Sequence, residues 1–65
     1  MAANLRLKIA RMAADLTQHK LSEESGVTEQ LITRLETGRL MAPPPEVRAR
    51  IADVLGVRPF EIFER

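Results

Sequence analysis

The chain contains no cysteine, no tryptophan and no tyrosine, and only one histidine among its 65 residues. The absence of thiols excludes a disulfide framework, a thiolate zinc site and a thiol nucleophile. The lone imidazole, His19, leaves little for metal binding or proton shuttling. With no nucleophile–base set, carboxylate pair or metal cluster in view, neither an enzyme nor a cofactor-dependent protein is expected. Long apolar runs are missing as well. Nothing approaches the roughly 18 residues that span a bilayer, and no charged leader precedes an apolar stretch. The chain is therefore expected in the cytoplasm, or as part of a cytoplasmic assembly. Strand signals are poor, because Val, Ile and Thr are scattered and no alternating run reaches five residues.

What remains is the composition of a small helical globule, 45% hydrophobic and 29% charged. Residues 1–65 allow one domain and no separate effector or catalytic unit. A domain this short buries only about 60% of the surface that its unfolded chain exposes, so its margin of stability is modest. Ten Lys and Arg against nine Asp and Glu give a net charge of +1. That is not the strongly basic balance of a typical nucleic-acid binder, so any such role must rest on where the charges sit. Eight of the ten cations are arginine, whose rigid fork of donors suits phosphates and base edges. A GC-rich genome would account for an arginine- and alanine-rich chain equally well.

The pattern divides into five short helices. The first is expected from Ala3 or Asn4, a good cap, to Ala14. It carries two apolar stripes on nearly opposite sides, Leu5–Ile9–Met12–Leu16 and Ala3–Leu7–Ala10–Ala14. One stripe should face the core, and the other should lie exposed or meet a partner. Thr17 caps a second helix from Gln18 to Ser25, ended by Gly26. Thr28 caps a third from Glu29 to about Thr37, ended by Gly38. After the loop Arg39–Pro45, Pro45 suits the first turn of a fourth helix with Val47, Ile51, Val54 and Leu55 inward and Gly56 at its close. Pro59 opens a final turn or two, Phe60 to Glu64.

Two caps and two glycines between Thr17 and Gly38 set two helices joined by a three-residue turn, the outline of a helix-turn-helix. Leu21, Val27, Ile32 and Leu35 point into the wedge between the helices and the core, and Ser22 supplies the small residue that a close crossing needs. The outer face of the third helix then presents Glu29, Gln30, Thr33, Arg34 and Thr37. Their donors and acceptors suit base edges, on an element of major-groove width.

With Leu16–Thr17–Gln18 entering helix two, Gly26–Val27–Thr28 at the turn, Leu35–Glu36–Thr37–Gly38 ending helix three and Ile51–Val57 in helix four, nearly the whole chain resembles the lambda-repressor-like (XRE, Cro/repressor) helix-turn-helix family. The resemblance implies an all-α, five-helix DNA-binding domain, commonly a dimeric transcriptional regulator. It implies that Glu29, Gln30 and Arg34 contact base edges. Gln18, at the start of helix two, would contact a phosphate and brace a recognition side chain. Thr28, Thr33, Thr37 and Arg39 would lie near the sugar–phosphate backbone, and Arg11 and Glu36 match a family pair that bridges helices one and three. Ser22 stands where alanine is usual, Ser25 where the residue is often apolar, and the proline loop is one residue longer than the common pattern.

Each reading has a plainer alternative. Arg34 fits guanine O6 and N7 bidentately, or pairs with Glu29 or Glu36. Gln30 suits adenine. Glu29 accepts from cytosine N4, or simply complements the helix dipole. Lys8, Lys20, Arg39, Arg48 and Arg50 are the pool for phosphate contacts, and His19 reads as an exposed residue of helix two. By the resemblance Ile62 and Phe63 match core positions, whereas Phe60 stands where relatives are often polar. Phe60, with Ile62 and the spare stripe of helix one, is expected to help form a homodimer, against the alternative that Phe60 folds back over the core. The expected function is therefore a small Cro-type or control-protein repressor that binds an inverted repeat in double-stranded DNA. It would act by excluding polymerase or contacting it. An antitoxin with a protein toxin as partner, or an interaction module that does not bind DNA, fits the same fold.

Overall fold

The computed structural model describes residues 3–63. Five helices follow one another: α1 Leu5–Ala13, α2 Gln18–Ser25, α3 Glu29–Thr37, α4 Pro45–Leu55 and α5 Pro59–Phe63. The described residues contain no strand, so the fold is all-α. None of these helices is long and apolar enough to cross a membrane. Glu64, expected at the end of the last helix, lies outside the described residues.

Side chains set the starts of the first three helices. Asn4, Thr17 and Thr28 each accept a hydrogen bond from the amide three residues on, at 3.1, 3.0 and 3.2 Å. α4 begins instead on Pro45, which needs no amide partner. Before α5, the Glu61 carboxylate accepts from the Arg58 amide at 2.9 Å, which is half of a capping box. Glycine in the left-handed conformation ends α2 and α3, at φ 76° for Gly26 and 83° for Gly38. The end of α1 is less expected, since Asp15 takes that conformation (φ 61°). The Leu16 and Asp15 amides donate back to the carbonyls of Arg11 and Met12, a Schellman closure. Ala14 therefore caps α1 rather than extending it.

Helix α2 packs on α3 and α4, α5 on α1 and α4, and α1 on α3. Leu7, Leu21, Val27, Ile32, Leu35, Ile51, Ala52, Ile62 and Phe63 form one buried cluster. Val47, Val54 and Leu55 sit at its edge. Of the two stripes on α1, the one with smaller side chains faces inward. Leu7 is fully buried and Ala10 half-buried, whereas Leu5, Ile9 and Met12 are each about 60% exposed. Leu16 leaves the outer stripe and packs at the core's edge because the chain reverses at Asp15. Ser25 is buried, and its hydroxyl accepts from the Val27 amide at 3.2 Å, so the polar group in the wedge is satisfied by the turn itself.

Ile62 is a correction to the expected dimer surface. It is only 2% exposed and belongs to the core, while its neighbour Phe60 is 57% exposed. In a helix of five residues the inward positions, Ile62 and Phe63, are set by contact with α1 and α4, which leaves Phe60 outside.

Asn4 ties three elements together. It caps α1, its amide nitrogen donates to the Ile62 carbonyl at 2.8 Å, and its backbone N–H donates to the Glu36 carbonyl at 2.9 Å. Asn4→Ala removes the cap and leaves the Ile62 carbonyl unpaired. A lost cap costs about 1 kcal/mol and a lost hydrogen bond about 1 kcal/mol more, so the expected destabilisation is roughly 2 kcal/mol in urea unfolding. Asn4→Asp keeps the cap acceptor but loses the donor, and should fall between the two.

Candidate nucleic-acid interface

The third helix divides cleanly. Ile32, Leu35 and Glu36 are buried, whereas Glu29, Gln30, Thr33, Arg34 and Thr37 are all exposed. No part of the described chain covers this polar face. Helix α2 braces it from one side.

Beneath the face runs a chain of hydrogen bonds that starts on α1. Arg11 donates to Glu36 through Nε (2.6 Å) and Nη2 (3.2 Å), a bidentate pair, and through Nη1 to the Leu16 carbonyl at 2.7 Å. The side chains are 12% and 4% exposed, so this is a desolvated ion pair, of the kind the resemblance implied. Gln18 Nε2 donates to Glu36 Oε1 at 3.0 Å, and Gln18 Oε1 accepts from the Thr33 hydroxyl at 2.9 Å. These partners fix which end of the amide is which, since a carboxylate can only accept. Gln18 therefore braces Thr33 on α3, and the second N–H of its amide has no partner among the described residues.

The three threonines differ in what they have left to offer. A phosphate oxygen accepts, so a threonine must donate to it. Thr28 uses only its lone pair, accepting from the Leu31 amide, and its proton stays free. Thr33 spends its proton on Gln18, and Thr37 spends its own on the Thr33 and Arg34 carbonyls of the helix (2.9 and 3.3 Å). Among the described residues, Thr28 alone of the three has no acceptor for its hydroxyl proton, whereas those of Thr33 and Thr37 are engaged within the protein.

The charged side chains sort in the same way. Glu36 is taken by Arg11 and Gln18, and Glu29 by His19, so neither plainer pairing of Arg34 is formed. Arg34 and Arg39 are exposed and make no ion pair among the described residues. Arg50 pairs with Glu46 at 3.2 Å and Lys20 approaches Glu23 at 3.7 Å. Lys8 is exposed, and Arg48 is half-buried with its Nε lacking a hydrogen-bond partner.

One contact was not visible in the sequence. His19 Nδ1 lies 3.3 Å from Glu29 Oε1, and Nε2 lies 3.3 Å from Glu23 Oε2. Two helices placed by a tight turn, one face of the second left bare and braced by the first, define a helix-turn-helix protein. A family model for the helix-turn-helix domain matches residues 5–62, and the chain belongs to that family. No curated protein and no solved structure matches it.

Proposed function

We propose that this chain is a sequence-specific regulator of transcription of the lambda-repressor-like (XRE) type. In this reading it is a small repressor of the Cro or control-protein kind that binds double-stranded DNA as a homodimer. The observation that carries the reading is the bare polar face of α3, with Arg34 in no ion pair among the described residues and near Gln30 and Glu29, held over a core by a buried ion pair. Arg34 reads guanine, Gln30 reads adenine, and Gln18, Thr28 and Arg39 hold the sugar–phosphate backbone, with Thr33 and Thr37 joining once their internal bonds open. Two copies set their third helices in successive major grooves about 34 Å apart on an inverted repeat. Repression then follows from occupancy of the operator, by excluding polymerase. The test is selection of bound duplexes from a random pool at near-physiological salt. A palindromic consensus is the expected result, and recovery of no preferred sequence rejects the reading.

The dimer in this proposal uses Phe60 and the outer stripe of α1, Leu5, Ile9 and Met12, all between 57% and 63% exposed. Large apolar side chains left bare at this density on a small domain support a contact surface. Sedimentation of Phe60→Ala beside the parent chain should show weaker self-association. Equal association of the two proteins, or a parent that stays monomeric at high concentration, removes Phe60 from the proposal.

A further inference from the structure

We infer that His19 determines specificity by positioning Glu29, so that the first side chain of the recognition helix reads the exocyclic amine of cytosine. The inference rests on the DNA-binding reading above. Its structural basis is the contact between the second residue of α2 and the first of α3, ten positions apart in sequence and 3.3 Å apart in space.

An unaided carboxylate is a poor reader of DNA. It swings freely at the start of a helix, and the phosphates around the groove repel it. Here one ring restrains the swing. His19 Nδ1 faces Glu29 Oε1, and Nε2 faces Glu23 Oε2, itself on α2 and flanked by Lys20 at 3.7 Å from Glu23 Oε1. Nδ1 lies within hydrogen-bond distance of Glu29, and the other ring nitrogen lies toward Glu23 on the same helix. The ring is also clamped from its own helix by Glu23, so it holds Glu29 from a fixed side. Glu29 Oε2 has no partner among the described residues. That oxygen is the acceptor the inference assigns to cytosine N4–H.

The cluster is solvent-facing, with His19 69%, Glu23 54% and Glu29 51% exposed. Exposed ion pairs contribute little to folding, so the consequence of losing His19 falls on recognition rather than on stability. This separates positioning from a structural role.

The experiment selects duplexes from a random pool with the parent chain and with His19→Ala, His19→Gln, Glu29→Gln and the His19→Ala/Glu29→Gln double variant. The parent should prefer cytosine at one position of each half-site, and Glu29→Gln should lose that preference. His19→Ala should lower the preference there by about tenfold, within the range of a single well-made base contact. Preferences at the other positions, the salt slope and the unfolding midpoint should stay as in the parent. His19→Gln, which keeps a donor, should restore most of the loss, and the double variant should lose no more than Glu29→Gln alone. An unchanged cytosine preference in His19→Ala overturns the inference and leaves DNA binding intact. A uniform loss of affinity with a shallower salt slope also overturns it, because His19 is then a phosphate contact. Failure of the parent to enrich any sequence overturns the DNA-binding reading, and this inference with it.

Discussion

Glu36→Ala should unfold a large part of the population at room temperature. The carboxylate is 4% exposed and accepts from Arg11 twice and from Gln18 once. Its removal leaves the Arg11 guanidinium, 12% exposed, without its counter-charge. Breaking a buried pair by deleting one partner typically destabilises by about 3–5 kcal/mol, because the remaining charge stays desolvated. A domain of this length has roughly 3–10 kcal/mol in total. The variant should therefore show a much lower urea midpoint, or no cooperative transition at all. Arg11→Met with Glu36→Leu is the informative companion. An apolar pair of similar volume often restores stability, but Gln18 loses the carboxylate that orients its amide. That double variant should fold and still bind DNA less selectively, since Thr33 and Gln18 are no longer held. If Glu36→Ala keeps the parent's midpoint, the network is not the support described here.

Arg34→Ala carries the largest expected effect on recognition. A bidentate arginine–guanine contact discriminates by about 1–3 kcal/mol, and a symmetric dimer makes it twice, so the preferred operator should lose roughly 2–6 kcal/mol in binding if the half-sites add. The signature lies in the pattern rather than the size. Selection should relax at one base pair in each half-site and leave the remaining consensus in place. A loss of equal size on every sequence, with a salt slope smaller by about one per contact, would mark Arg34 as a phosphate anchor instead. Arg34 makes no ion pair among the described residues, and the first outcome is the expected one because none of them competes with the base.

Helix boundaries were legible because they are local. Asn4, Thr17 and Thr28 cap by reaching the amide three residues away, and Gly26 and Gly38 supply a left-handed turn, so each signal lies within a few residues of the boundary it sets. Asp15 does what the glycines do, but an aspartate carries no such signal on its own, and the span expected from Ala3 or Asn4 to Ala14 overruns α1 at both ends. The facing of α1 was not legible. Both of its stripes have helical period, and only the closeness of α3 and α5 selects the one with Leu7 and Ala10. The buried pair of Arg11 with Glu36 was reached through resemblance, since no spacing rule joins residues 25 apart. The approach of His19 to Glu29 had no signal at all. It exists only once α2 and α3 cross, and it turned an unremarkable exposed imidazole into a neighbour of the recognition face.

The bond from the Asn4 side chain to the Ile62 carbonyl, 2.8 Å long and spanning 58 positions, has a consequence for how the domain can be joined to other polypeptides. The chain enters and leaves the globule at one spot. A host protein could receive the whole unit in a surface loop without being pried apart, and a connector of a few residues could close it into a ring or link two copies head to tail.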